Sequence, residues 1–536
     1  MKKKRSGNSV DFARAAGSVG IAVFLSRILG LVREQVLATL FGASNQMDAF
    51  VVAFRIPNLL RDLFAEGALS SAFVTVFSEY DEQSSREETM RLVASVLAML
   101  SVIVSIIVIL GIVYSKEIVY LMAPEFQKVP GKIELTTTMT RIMFPFLLAL
   151  STASVFMGIL NAKGNFFLPS MASAMFNISS IVVGGGLALY LPSHGVEGII
   201  GMAIGTLVGG LAQMAIQLPP LMRIIEISHV VPQLRRFSIK SVVHHPGVKK
   251  VMKLMVPAII GLSATQINIF VNTNFASRCP EGSVAWLNYS FRLILFPIGL
   301  FGVAISVVAL PRFARKAANM DMKALGQAMV SSLELALVLT IPASIGLWVL
   351  SEEIVKLIFQ RGHFHHYDTI MTAQALRFYS IGLFAYSCVK IVVPAFYAIN
   401  DTKWPVAASF AAVAMNIVMV FTMLPLLQHR AIALSTSITI ISNFLILASI
   451  FYKRIGGFPC KTLIKDCSKI VIASMIMGLV VTYLRRFINC DSGLMVEAVT
   501  ILLVMAGGCG VYVILGHLMK ITPLMDLESK IQKKME

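Results

Sequence analysis

The chain has 536 residues, 57% of them hydrophobic and 14% charged, with a mean hydropathy of +0.79. Soluble proteins carry about 25% charged residues, which excludes water as the main solvent. The net charge of +18 does not point to nucleic acid, because the lysines and arginines fall mostly in short loops between apolar runs, where they orient membrane proteins.

A helix needs about 20 residues to cross about 30 Å of hydrocarbon. Apolar runs of that length predict spans over 13–41, 48–78, 89–114, 136–162, 169–191, 197–221 and 251–277. Seven more are predicted over 283–311, 326–350, 370–398, 404–427, 431–453, 467–488 and 494–518. The basic start, Lys2 to Arg5, imitates a signal peptide, but polar residues follow and Arg27 interrupts the first apolar segment, so a retained first span is expected.

An even number of spans puts both termini on one side. Loops on that side hold Arg223, Arg235, Arg236, Lys249, Lys250, Arg312, Arg315, Lys316, Lys453 and Lys461. With roughly two dozen basic residues there against about nine opposite, the positive-inside rule predicts cytoplasmic termini.

Two pairs of segments recur six spans apart. Phe156 to Pro169, with Asn161 and Lys163, is similar to Phe396 to Pro405, with Asn400 and Lys403; Ala53-Phe-Arg55-Ile-Pro57 is similar to Ser290-Phe-Arg292 followed by Pro297. The expected fold is therefore an all-α polytopic membrane protein of about 14 transmembrane helices. Two six-helix lobes would be related by a parallel pseudo-two-fold axis, as in transporters that rock about a central site, with two extra C-terminal helices. The expected organisation is an N-terminal lobe over 1–222, a cytoplasmic linker over 223–250, a C-terminal lobe over 251–455, and helices 13 and 14 with a basic tail over 456–536.

Charges inside a membrane are costly and usually face a cavity. The first span carries Arg27, Arg33 and Glu34; the second carries Asp48, Arg55, Arg61, Asp62 and Glu66, with Pro57 and Asn58 between them. Asp48, Arg55 and Asp62 recur every seven residues and share a helical face, whereas Arg33 points about 120° away from Arg27. Pro57 and Pro297 predict bends beside Arg55 and Arg292, because proline leaves a backbone acceptor free one turn earlier. Internal ion pairs, such as Arg27 or Arg55 with Asp48, and snorkelling of Arg33, Arg61 and Glu66 to an interface are one reading of these charges. The other is an anion site, since arginine's rigid fork of donors suits phosphate oxygens. On that reading Arg27, Arg33, Arg55 and Arg292 are the strongest candidates.

Other features are less specific. Gly201, Gly205 and Gly209 have GxxxG spacing and predict close helix packing. His363, His365, His366 and Asp368 fall in an external loop without metal-ligand spacing and read as solvated. The six cysteines lack zinc or disulfide spacing and read as free thiols. No nucleotide-binding loop and no HExxH or GxSxG motif is present, so ATP hydrolysis and these hydrolytic chemistries are not expected.

Ser26-Arg27-Ile-Leu-Gly30-Leu-Val-Arg33-Glu34, Phe41-Gly42-Ala43, Asp48-Ala-Phe50, Pro57-Asn58-Leu-Leu-Arg61 and Phe64-Ala-Glu66-Gly67-Ala68 together resemble the MurJ (MviN) family of lipid II flippases. The similarity extends through Gly158 to Asn161, Arg292 to Pro297 and Pro394 to Tyr397, over nearly the whole chain. It implies the fold of the multidrug, oligosaccharidyl-lipid and polysaccharide exporter superfamily, residence in the bacterial inner membrane, and lipid II as substrate. Membrane lipids and the cell-wall synthesis machinery would be partners, with no nucleic acid. By the resemblance Arg27, Arg33, Asp48 and Arg292 line the cavity, Asn58, Arg61 and Glu66 belong to the second-span motif, and the two extra helices form a groove for the lipid tail. The chain departs from many members at Asp62, where they carry a basic residue, and at Phe291 and Leu295, where they carry acids. The resemblance also implies a sodium ion in some members, for which Asp401 and Asn272 are the nearest candidates here; position 272 holds asparagine where aspartate is usual.

Three other readings compete with this expectation. An oligosaccharide-lipid flippase or cation-coupled drug exporter would share the fold, but a cationic-drug exporter would have a cavity dominated by carboxylates. A membrane enzyme acting on polyprenyl diphosphates would need a carboxylate pair or nucleophile that no spacing here compels. A cell-wall scaffold would tolerate loss of every cavity arginine.

Overall fold

The structure, a computed structural model, describes residues 3–224, 244–488, 493–526 and 529, with side chains described outside 3–18, 65–68 and 71. Fourteen helical stretches fall where spans are predicted: α1 (Lys3–Phe41), α2 (45–83), α3 (Arg86–Val113), α4 (Lys132–Ala162), α5 (Phe167–His194), α6 (Gly198–Ile224) and α7 (Pro246–Ala276). The others are α8 (Ser283–Ala318), α9 (Met322–Val349), α10 (366–398), α11 (Lys403–Leu427), α12 (His429–Arg454), α13 (Cys460–Phe487) and α14 (Leu494–Leu518). Among the described residues there is no strand. Eleven of these helices are long and apolar enough to cross a membrane, and α10, bent by 43° at Gly382, makes a twelfth. The remaining two, α1 and α2, hold the charges of the first two predicted spans, so the tally is compatible with fourteen.

The chain divides into two compact units, Met1–Glu281 and Gly282–Glu536. Helix α7 groups with the first unit, although the sequence repeat makes it the opening helix of the second half. Residues 225–243 of the expected linker lie outside the described residues.

The repeat is visible in local structure. α2 is interrupted by a π-helical turn at Asp62–Gly67 and α8 by another at Ile298–Val303, a displacement of 236 residues (62 to 298). The same displacement relates α3 to α9 (86 to 322). It also relates two buttresses: Arg141 Nε donates to Ser115 Oγ at 2.8 Å, and Arg377 Nε donates to Ser351 Oγ at 2.7 Å. Because α2 and α8 run without interruption into their π turns, this register aligns Arg55 with Phe291. The sequence pairing of Arg55 with Arg292 is one residue out, which on a helix is a rotation of about 100°. The π turn begins directly after Pro297 in α8 but five residues after Pro57 in α2, so only in α8 does it adjoin the proline.

In the first unit, Asn177 of α5 donates to the Ser26 carbonyl at 3.1 Å and lies over Gly30, seating α5 on α1. Gly201, Gly205 and Gly209 bring α6 onto α5: a Cβ at 205 would lie 2.4 Å from the Gly184 Cα, and one at 209 would lie 2.8 Å from the Phe176 carbonyl oxygen. The GxxxG spacing is thus a packing seam. Gly205→Val should lower stability by about 1–3 kcal/mol, read as a fall in melting temperature in detergent. Gly186→Ala, where an added Cβ meets nothing within 4 Å, should leave it nearly unchanged.

Helix α7 begins at His245, whose Nδ1 accepts from the Gly247 backbone N–H at 3.2 Å. Burial and the nearby Arg91 hold its imidazole below the usual range against the opposing pull of Glu88, which keeps Nδ1 free to accept.

In the second unit one apolar core joins α8, α9, α10, α12, α13 and α14 through buried Phe313, Leu333, Phe396, Phe451, Met477 and Val504. The two C-terminal helices are therefore built into this unit and do not merely trail from it. Tyr512 of α14 donates its hydroxyl to the Val338 carbonyl at 2.9 Å. At the side opposite the basic loops, Arg485 of α13 pairs with Glu352 at 3.2 Å and with Glu353, and Lys356 pairs with Glu497 of α14 at 3.1 Å. Glu352 also meets Arg377 at 3.5 Å, so the network ties both helices to the α9–α10 connection. Arg485→Ala should loosen this anchor and raise limited proteolysis between α13 and α14 several-fold, with the rest of the unit still protected.

The external loop is less solvated than its composition suggests. Asp368 caps α10 by accepting from the His365 backbone N–H at 3.0 Å, and it also accepts from Trp286 Nε1 at 3.0 Å while buried. Among the described residues no cluster of His, Cys, Asp and Glu could hold a metal ion, and Cys279, Cys388, Cys460, Cys467 and Cys509 are unpaired. Cys490 lies outside the described residues.

Candidate functional site

The turn into α2 sets the first charged position. Gly42 takes a left-handed φ of 60°, a conformation that favours glycine. Ser44 then caps α2 by accepting from the Met47 N–H at 3.4 Å. This delivers Asp48 into the first turn, where it meets Lys132 at the start of α4. The Lys132 ammonium donates to Asp48 Oδ2 at 3.1 Å and to Asn45 Oδ1 at 2.6 Å, and sits 4.0 Å from the centroid of Phe126. Both charged side chains are almost fully enclosed, at 5% and 3% exposure. Asp48 thus pairs with Lys132, a partner the sequence did not suggest. Its signal was a lysine just after Gly131, at the same end of the helices as Asp48.

The arginines separate by environment. Arg33 is clamped inside the first unit: its guanidinium lies 5.9 Å from Phe54 and 5.3 Å from Phe176, and donates to Glu34 at 2.8 Å. Its buried Nε has no acceptor among the described residues. Arg33 shares the Ser26–Gly30 face that seats α5, which is why it turns away from Arg27. Arg27 is half-buried and has no hydrogen bond or ion pair among the described residues. Arg55 donates to Thr273 Oγ1 of α7 at 2.6 Å. Arg61 grips Asp62 Oδ1 with Nε at 3.1 Å and NH2 at 2.8 Å, and Asp62 Oδ2 accepts from Gln266 of α7 at 3.4 Å. Asp62 therefore neutralises Arg61 and reaches α7. Asn58 is half-buried on α2; the Glu66 side chain lies outside the described residues.

In the second unit Arg292 is half-buried on α8, before the Ile298–Val303 π turn. Phe291 stacks edge-on with Tyr379 at 5.3 Å and Tyr386 at 6.2 Å, and Leu295 is exposed, so an aromatic cluster and an aliphatic surface occupy the positions where acids were expected. Asp401, in the turn before α11, pairs with Arg454 at 3.4 Å, and Asn272 belongs to the first unit. The Asp401 charge is thus countered within the second unit. An apolar groove of about 430 Å³ lies between α9, α10 and α13, walled by Ile341, Ile345, Trp348, Phe384, Met475 and Leu479.

The family model described as lipid II flippase MurJ matches residues 37–503. The chain belongs to the lipid II flippase MurJ family. It is 36% identical over 437 residues to the probable lipid II flippase MurJ of Buchnera aphidicola, covering 82% of this chain and 83% of that protein. To the lipid II flippase MurJ of Burkholderia cenocepacia it is 33% identical over 438 residues, with the same coverage. A solved lipid II flippase MurJ in an inward closed conformation superposes with a TM-score of 0.75 at 29% identity, covering 93% of this chain and 98% of that one. An inward-facing multidrug resistance MATE transporter of the MOP superfamily shares the fold at a TM-score of 0.67 and 16% identity, with 80% and 94% covered. As a MurJ-family member with at least eleven apolar spans, the chain is a multi-pass membrane transporter and not an enzyme.

Proposed function

We propose that this protein moves lipid II, a peptidoglycan precursor carried on a polyprenyl diphosphate, from the cytoplasmic to the outer leaflet of the bacterial inner membrane. Membership of the MurJ family over residues 37–503 carries the reading. The excess of basic residues in one set of loops supports cytoplasmic termini. The headgroup would enter a cavity open to the cytoplasm, the lipid tail would stay in apolar surroundings, and the lobes would then rock to present the headgroup outward.

Within this reading Arg27 and Arg292 are the residues assigned to the diphosphate, each offering a planar fork that matches phosphate oxygens. Arg33 gives a fixed positive charge in the first unit, held by Phe54, Phe176 and Glu34. Binding must not be too strong in one facing, since release requires comparable affinity in both. The apolar groove beside α13 suits an isoprenoid tail. The drug-exporter alternative gains nothing from the MATE likeness, which at 16% identity speaks for fold alone.

The test is reconstitution of the purified protein in liposomes containing labelled lipid II, with the accessible fraction measured in each leaflet. Movement no faster than in protein-free vesicles would sink the proposal.

A further inference from the structure

The seam between α9 and α13 has a fixed register. Glu352, just past α9, meets Arg485 at 3.2 Å, and a Cβ at Gly478 would lie 2.6 Å from Ile345 Cγ2. Both pairs are 133 residues apart (485 − 352 and 478 − 345), so the two helices run in the same direction. Carried inward, that register sets Glu334 beside Cys467, one position from Asp466. One turn further along α9, Tyr512 of α14 closes the seam by donating to the Val338 carbonyl at 2.9 Å.

The two ends of the seam are charged differently. At the outer end Glu352, Glu353 and Glu497 are answered by Arg377, Arg485 and Lys356. At the inner end Asp466 is only 4% exposed and makes no hydrogen bond or ion pair among the described residues. Glu334 Oε1 is buried and has no partner there either. The charges that bear on Glu334 are both negative, Asp466 and, from the segment after α14, Asp526. The bases of the surrounding elements lie at the surface: Arg312, Arg315 and Lys316 of α8, Lys390 of α10, Lys465 of α13 and Lys520 after α14 are exposed. Lys469 of α13 donates to the Lys520 carbonyl at 3.1 Å. The other titratable groups nearby are the thiols of Cys388 on α10 and Cys467 on α13 and the hydroxyl of Tyr512.

Two carboxyls set together in a low-dielectric interior do not both ionise; one keeps a proton and donates it to the other. We propose that Glu334 and Asp466 form a proton-binding site, with one proton held between their carboxyl oxygens, in the seam that attaches the two C-terminal helices. A proton suits the pair better than a metal ion, since among the described residues no cluster of His, Cys, Asp and Glu could hold one. The charge-assisted O–H to carboxylate bond ties α13 to α9. When the proton leaves, by way of the exposed Asp526, two negative charges remain and push the inner ends of α9 and α13 apart, while the Arg485 network holds the outer end. The apolar groove walled by Ile345, Gly478 and Leu479 lies in the same seam, so the proton also sets how tightly that groove is closed. The site goes beyond the lipid II reading and stands whichever lipid is carried.

The test is infrared difference spectroscopy on the full chain, titrated with pH in a maltoside detergent, which has no ester carbonyl to mask the band of interest. At neutral pH the wild type should show the carbonyl stretch of a protonated carboxyl, and alkaline buffer should remove it. In Glu334→Gln the amide donates to an ionised Asp466 in the proton's place, so the band should already be lost at neutral pH. Asp466→Asn should lose it in the same way, and it serves as the second variant if the first fails to fold. Thermal unfolding gives an independent reading. The folded protein keeps a proton that the unfolded chain gives up above the ordinary carboxylate range, so stability should fall as pH rises toward the point of release. The wild-type melting temperature should drop by several degrees from slightly acid to alkaline buffer, and both variants should flatten that drop. The same band and the same pH slope in wild type and both variants would overturn the site. A melting temperature that rises with sodium at fixed pH, in place of the pH slope, would give the pair to a metal cation and overturn the assignment to a proton.

Discussion

Lys132→Met should destabilise the first unit by about 3–5 kcal/mol, because it leaves the buried Asp48 carboxylate without this cation. The lysine is held at three points, by Asp48, Asn45 and the face of Phe126, so its loss also strands the Asn45 oxygen. Thermal unfolding in detergent is the measurement, and a melting temperature within a degree or two of wild type would refute the assignment. Asp48→Leu combined with Lys132→Met should recover much of the loss, since a buried ion pair replaced whole by apolar groups is often neutral. Loss of transport in Asp48→Asn should then be accompanied by loss of stability, unlike a change at a group that only touches substrate.

Arg27→Ala should show the opposite pattern. Its side chain is half-buried and makes no bond among the described residues, so removal should leave the melting temperature close to wild type. Flipping of labelled lipid II should fall on the order of a hundredfold, the cost of removing one charged partner from a poorly solvated contact. Arg27→Lys should restore part of the rate, because it keeps the charge without the fork. Arg33→Ala should instead lower stability, since its guanidinium is packed between Phe54 and Phe176. Arg27→Ala with wild-type transport would remove Arg27 from the site.

These contrasts separate residues that looked alike in sequence. Arg27, Arg33, Arg55 and Arg61 are all arginines in charged spans, and spacing alone distinguished only the 120° between Arg27 and Arg33. The structure gives Arg33 to an aromatic clamp, Arg55 to Thr273 and Arg61 to Asp62. None of those partners except Asp62 is near in sequence, so no local pattern could reveal them. The same holds for Lys132, 84 residues from Asp48.

What the chain's sequence determined by itself was whatever depends on one helix at a time. Length and apolarity marked most of the helical stretches, basic loops pointed to an orientation, and Pro297 marked where α8 becomes irregular. It also carried the motif of Arg27 to Ala68, which is local enough to be read as a string. The tertiary structure decided which charges are spent on the protein and which are left over. Charge pairing in a low-dielectric interior is a matter of three-dimensional distance, and one residue of register, as between Arg55 and Arg292, turns a side chain by about 100°.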